Sequence, residues 1–201
     1  MQQQAERGRA PELRTRRLLL RRWQEQDLEP FSAISADSEV MEHFPAPLSR
    51  EQSAALIERT EASFDAQGYG LWAVELCGES PLVGFIGALG VEDDLPFHPA
   101  VELGWRLGRE FWGRGIATEG ARAVCEYSFQ TLGLRALVAY TAARNLRSQR
   151  VMERLGMRHD AAEDFMHPKL SLDHPLAPHV LYRLSPSDLQ RLPASYSAEA
   201  C

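Results

Sequence analysis

Apolar and polar positions alternate in blocks along this chain, and each block has its own period. "RLLLRRW" (Arg17 to Trp23) is a short apolar run framed by charge and predicts a first strand. A short helix is predicted after Asp27, with Pro30 tolerated in its first turn. "SREQSAALIERTEASFDAQG" opens on Ser49 with Gln52 three residues later, the spacing of a capping box. Apolar residues then recur at helical spacing through Phe64 until Gly68 stops the helix. "LWAVEL" (Leu71 to Leu76) and "LVGFIGALGV" (Leu82 to Val91) predict two strands joined by a tight turn around "CGESP". After the polar loop "VEDDLPFHP", "AVELGWRLG" (Ala100 to Gly108) predicts another strand, with Gly104 inside it.

The second half alternates differently. A glycine-rich turn leads into a helix from Ile116 to about Thr131, followed by a buried strand "ALVAYT" (Ala136 to Thr141). "NLRSQRVMERLG" (Asn145 to Gly156) reads as a short helix stopped by its glycine, and "HVLYRL" (His179 to Leu184) as a closing strand. Strands in a row, then strand–helix–strand–helix, predict a mixed α+β sheet in one domain over residues 13–190. The ends, 1–12 and 191–201, read as loose tails.

The turn before the central helix, "EFWGRGIATEG" (Glu110 to Gly120), holds three glycines. A helix leaves its first N–H groups without intrahelical acceptors, and its dipole places partial positive charge there. A phosphate reaches those groups only past small side chains, which Gly113, Gly115 and Ala117 supply, and Arg114 offers a charged contact. The same glycines also suit a plain tight turn. Two phosphate motifs fail here. "GREFWGRG" follows G-x-x-x-x-G-K-[ST] except that Arg114 replaces the lysine and Gly115 the hydroxyl residue needed for magnesium. G-x-G-x-x-G fails because Thr118 stands where the third glycine belongs.

The stretch Trp112-Gly113-Arg114-Gly115-Ile116-Ala117 instead resembles motif A, [Q/R]-x-x-G-x-[G/A], of the GNAT superfamily of acetyl-CoA-dependent N-acetyltransferases. Trp112 departs from the Gln or Arg of the pattern. An aromatic there is common in the RimJ/RimL-like branch, which resembles the ribosomal-protein acetyltransferases and in which "WG-x-G-x-A-TE" recurs. "ARNLRSQRVMERLGM" is similar to motif B, "LRTRRLLLRRW" to the first strand of the group and "PLVGFIGALGV" to its third, so the resemblance runs from about Leu13 to Leu184. It implies a GNAT fold with about six to seven strands, in which Val101–Leu107 and Ala136–Thr141 are a splayed parallel pair that admits the pantetheine arm of acetyl-CoA.

By the same resemblance, Leu103, Gly104, Trp105, the segment Trp112 to Thr118, Asn145 and Ser148 are expected to bind the coenzyme. Gly104 fits a bulge whose backbone N–H polarises the thioester carbonyl, or is simply a weak point in a strand. Asn145 either bonds the pantetheine arm or caps the helix it opens. Glu102 is the candidate general base, against a charged residue on a half-exposed strand; Glu75, Glu92, Asp93 and Asp94 are weaker candidates. Met152 occupies the place where many members keep a tyrosine acid, which leaves Ser148 as proton donor or as a small packing residue. The acceptor pocket is expected near His167 and His174, with Trp23, Phe44 and Trp72 lining it or packing in the core. The third histidine, His179, adds no spacing that suggests a metal site, so none is expected.

Composition narrows the partners. A net charge of −6 argues against direct nucleic-acid binding, and no apolar run nears the roughly 20 residues of a membrane span. Cys77, Cys125 and Cys201 are far apart and odd in number, which suggests reduced thiols and a cytoplasmic setting. The expected activity is direct acetyl transfer to a primary amine, either a protein N-terminus or a small molecule, in a ternary complex. Dimers occur in the group, so a homodimer belongs with these expectations. A non-catalytic acyl-CoA-binding module is the rival reading, and a nucleotide-dependent enzyme a third.

Overall fold

The computed structural model describes residues 11–191. The terminal stretches 1–12 and 191–201 lie outside these residues except for Pro11, Glu12 and Arg191. Nine strands form one sheet among the described residues: β1 (Leu13–Arg14), β2 (Leu18–Arg21), β3 (Leu71–Leu76), β4 (Ser80–Gly90), β5 (Val101–Leu107), β6 (Leu137–Ala142), β7 (Arg158–His159), β8 (Phe165–Met166) and β9 (Pro178–Leu184). Their order is β1-β2-β3-β4-β5-β6-β9-β7, with β8 also on β9. Every pairing is antiparallel except β5–β6. The helices are α1 (Leu28–Ala36), α2 (Arg50–Gln67), α3 (Ile116–Gln130), α4 (Leu146–Arg154) and α5 (Pro186–Gln190).

The sheet is buried on both faces, which explains why β3 and β4 read as continuous apolar runs rather than alternating ones. Trp72, Val74 and Ile86 pack with Leu103, Ala121, Val124 and Leu137 on the α3 side. Leu71, Ala73 and Phe85 pack with Phe31 of α1 and, less deeply, Leu56 and Ile57 of α2 on the other. Helix α3 buries Ile116, Gly120, Ala121, Val124, Cys125 and Ser128, one stripe at helical spacing.

Helix α2 starts on the capping box read from sequence: Ser49 Oγ accepts from Gln52 N at 3.2 Å, and Gln52 Oε1 accepts from Ser49 N at 2.8 Å. It ends at Gly68, as expected. Strands β7 and β8 are two residues each and exist only through pairing with β9, so no periodicity announces them.

Two expectations are corrected. The β4–β5 ladder runs without a shift from Gly84↔Leu107 to Gly90↔Val101, with Gly104 opposite Gly87, so Gly104 is not a bulge. Cys77 is disulfide-bonded rather than reduced, whereas Cys125 is a free, buried thiol.

Candidate active site

Strands β5 and β6 share one register pair, Glu102↔Val138. A parallel pair held at a single point cannot stay in register, and beyond it the strands part. The gap opens into a cleft of about 590 Å³. Residues 102–107 of β5 and 140–142 of β6 form its floor. The loop into α3 and the exposed side of α4 form one wall, and the α1–α2 loop, with Val40, His43 and Phe44, forms another.

At the α3 end, Gly113 and Gly115 have φ of 72° and 77°, a region that L side chains rarely adopt. The first backbone bond of the helix joins Glu119 N to Gly115 O at 3.0 Å. The N–H groups of Ile116, Ala117 and Thr118 therefore have no backbone acceptor among the described residues, and all three residues line the cleft. Arg17 fixes the loop from behind: its Nε donates to Glu119 Oε2 at 2.8 Å and its Nη2 to Arg114 O at 3.0 Å. Trp112 closes the turn by donating its indole N–H to Leu107 O at 2.9 Å, with the Arg147 guanidinium 4.4 Å from its ring. Arg147, Arg150 and Arg154 of α4 stand on this rim, a cationic wall beside the open amides.

At the far end stands Glu102. Burial pushes its carboxyl up to about 7; the Tyr140 hydroxyl opposes this by hydrogen bonding, and the charge of Glu92 adds to it. Tyr140 is in turn held well above the usual phenol range, first by burial and then by Glu102. His167 and His179 lie nearby, tilted against each other at 53° with 4.9 Å between ring centroids, and burial lowers both below the ordinary imidazole value. His167 Nδ1 accepts from Lys169 N at 3.3 Å, which assigns its neutral-form proton to Nε2. His179 Nδ1 lies 3.2 Å from Ala177 O, so there the proton belongs on Nδ1. Among the described residues, no three His, Cys, Asp or Glu side chains converge as metal ligands.

The family model described as an acetyltransferase (GNAT) domain matches residues 17–158. The chain belongs to the GNAT acetyltransferase family. An uncharacterized N-acetyltransferase of Bacillus subtilis, YnaD, is 28% identical over 146 residues, covering 73% of this chain and 82% of that protein. The crystal structure of an acetyltransferase from Agrobacterium tumefaciens superposes with a TM-score of 0.70 at 29% identity, covering 87% of this chain and 94% of the other. Mycobacterium smegmatis RimJ, solved with CoA-disulfide, shares the fold with a TM-score of 0.70 at 19% identity, over 94% of this chain and 92% of its own.

This GNAT cleft brings together most of the residues singled out in the sequence. Glu102, Leu103, Gly104 and Trp105 line it from β5; Trp112, Gly113, Gly115, Ile116, Ala117 and Thr118 from the loop and the first turn of α3; Asn145 and Ser148 from the start of α4; Phe44 from the α1–α2 loop and His167 from the segment after β8. Four residues fall outside it. Arg114 turns away into a forked ion pair with Glu79, at 2.6 and 2.7 Å. Trp72 is fully buried against Phe64 and Tyr127. Trp23 packs its ring at a tilt against Phe31 and donates its indole N–H to Leu71 O at 2.7 Å. His174 accepts from Leu176 N at 3.1 Å and shapes its own turn.

Asn145 is the N-cap of α4, with Oδ1 accepting from Ser148 N at 3.2 Å and Nδ2 donating to Thr141 Oγ1 at 2.9 Å. Met152 is buried and lines the cleft beside Ser148. Of the weaker acids, Glu75 lies 3.6 Å from Arg21, Glu92 pairs with Lys169, and Asp93 sits 3.1 Å from His98. Sequence reading missed Tyr140, His43 and Arg106, all of which line the cleft.

Proposed function

We propose that this chain moves an acetyl group from acetyl-CoA to a primary amine by direct attack in a ternary complex. One observation carries the reading: the parted β5–β6 pair forms a continuous opening from unpartnered amides at the start of α3 to a carboxyl buried enough to titrate near neutral pH. The coenzyme supplies the activated acetyl as a thioester.

The residues fit that role in three places. The amides of Ile116, Ala117 and Thr118 suit a diphosphate, with Gly113 and Gly115 adding no side chain in front of them, and Arg147, Arg150 and Arg154 supplying positive charge at the rim. A Cβ placed on Gly104 would meet nothing nearer than Glu102 Oε1 at 3.9 Å, so its hydrogen leaves room on the cleft floor for the arm and the thioester. Asn145 keeps its amide engaged as a cap, and in this reading it positions α4 and Ser148 rather than the arm.

Glu102 takes a proton from the ammonium form of the acceptor before attack. Its pKa of about 7 suits this task, since a base works best when its pKa lies near the working pH. The acceptor nitrogen then forms its bond to the acetyl carbon as the carbon–sulfur bond breaks. The second proton lost by the nitrogen neutralises the departing thiolate, with Ser148 as relay. A thiol pKa of roughly 8.5 means that this last step needs little help, which tolerates Met152 in the tyrosine position.

Free-thiol release from acetyl-CoA across a panel of amines and peptide N-termini tests the reading. Acetyl-CoA-dependent transfer to at least one acceptor, with loss of turnover but retention of acetyl-CoA affinity in Glu102→Gln, is the expected result. Binding without transfer to any acceptor would make the protein an acyl-CoA-binding module instead.

A further inference from the structure

Arg106 is buried, 8% exposed, and lines the cleft. It lies on β5 four residues beyond Glu102, on the same face of the strand, with Gly104 between them. Its only side-chain hydrogen bond among the described residues runs from Nη1 to Ser35 Oγ of α1 at 3.1 Å. Its Nε is buried without any partner. No carboxylate of the described residues pairs with it. The rings of Phe44 and Phe85 flank the guanidinium at 4.6 and 5.3 Å to their centroids. Phe44 comes from the α1–α2 loop and is partly exposed, so the box has an open side towards the cleft.

An arginine in this position is an anomaly for packing alone. A guanidinium without a counterion is costly to bury, and the aromatic rings offset only part of that. Burial lowers its pKa to about 10, so it still carries its charge at neutral pH. The fork geometry of the side chain matches a planar anion, and a carboxylate fits it in two parallel hydrogen bonds. His43, on the neighbouring α1–α2 loop, also has a buried ring nitrogen, Nδ1, with no partner. The acids on this rim do not reach Arg106: Glu39 pairs with Arg109, and Glu42 pairs with Arg147 and lies 3.7 Å from His43 Nε2.

We propose that Arg106 is an acceptor-recognition site, and that the amine acetylated here carries a carboxylate which docks on its guanidinium between Phe44 and Phe85. This inference rests on the acetyl-transfer reading of the same cleft. It specifies the acceptor as a molecule with an amine for the Glu102 end and an anion for the Arg106 end. Consecutive residues of a strand rise about 3.3 Å, so the two α-carbons stand about 13 Å apart. The two side chains reach into part of that span, and the acceptor bridges the remainder over Gly104.

The experiment compares acceptors in matched pairs: ω-amino acids of graded length against their carboxamides, and short peptides with aspartate against asparagine at the second position. Wild-type protein is expected to favour the carboxylate member by about 10- to 100-fold in kcat/KM, the range of a hydrogen bond to a charged group. A preference confined to the amino acids assigns a small-molecule acceptor, and one confined to the peptides assigns an acidic protein N-terminus. Arg106→Met is expected to bring the ratio to about one while still binding acetyl-CoA, and Arg106→Lys to lower it several-fold. The site is overturned if wild type treats both members alike, or if Arg106→Met keeps the preference. A separate measurement, calorimetric binding of 4-acetamidobutyrate to the CoA-loaded protein, does not need turnover. Arg106-dependent binding without any transfer would sink the acetyl-transfer reading and leave the anion site standing; transfer without carboxylate preference would do the reverse; absence of both binding and preference would overturn the site.

Discussion

Two arginines are buried in this sheet, and they are held in opposite ways. Arg21 on β2 donates to both oxygens of Asp27, at 2.7 and 2.9 Å, and to Pro81 O at 2.9 Å, with Glu75 at 3.6 Å. Its pKa is raised, chiefly by the hydrogen bond to Asp27. Arg106 on β5 is about as deeply buried, at 8% exposed against 5%, yet it has one serine, two aromatic rings and no acid. Asp27 also accepts from Gln24 N at 2.8 Å, so the Arg21 pair closes the entry to α1 and belongs to the scaffold. The Arg106 site is open on the side where the cleft lies. Within one protein, a satisfied buried charge marks structure and an unsatisfied one marks a place left for something else.

The comparison breaks most visibly at Arg21. Arg21→Met leaves Asp27 buried without its partner, and the expected loss is about 3–5 kcal/mol of stability, read as a fall in Tm of roughly 10 °C. Glu102 extends the comparison to an acid. Its folded pKa lies above its unfolded value, so its contribution to stability is full below pH 4.5 and is lost as pH rises through about 7. Glu102→Gln removes that dependence. Denaturant titration is expected to show the variant gaining on wild type between pH 4.5 and 8, by up to about 3 kcal/mol.

Arg106→Met should differ in sign from Arg21→Met. Replacing an unpaired buried charge by an apolar side chain is expected to raise stability by about 1 kcal/mol, measured at pH 7 without ligand. A loss as large as that of Arg21→Met would place Arg106 among the structural arginines. The smallest effect belongs to Arg114. Its ion pair with Glu79 lies on the surface and turned from the cleft, so Arg114→Ala is expected to leave both Tm and acetyl-CoA affinity unchanged within error.

Arg114 also illustrates what the sequence conceals. The conformation of the glycines at 113 and 115 is readable because it is local: a tight turn into a helix takes the positive φ that favours glycine. The capping box at Ser49 and Gln52 was readable for the same reason, as was the parallel strand pair, through two motifs in order. The direction of a long side chain is not local. Arg114 sits in the glycine loop but reaches Glu79, across the turn after β3, while Arg147, two residues into a different element, stands over Trp112 at the rim. Trp72 and Phe44 are both aromatics near the acceptor side in sequence logic; burial on both faces of the sheet sends Trp72 to the core, and an exposed loop leaves Phe44 in the cleft. The isolation of Arg106 is the least legible feature of all. It depends on α1, the α1–α2 loop and β4 converging on one side chain without bringing an acid, and no pattern within β5 records that.

The pH dependence of acetyl transfer tests the central claim most directly. With the acceptor held constant, kcat/KM of wild type is expected to rise through an ionisation near pH 7, and Glu102→Gln to lose that ionisation along with most of its rate, keeping only the ionisation of the acceptor. The same inflection near 7 in both proteins would contradict the account, because a group other than Glu102 would then be taking the proton.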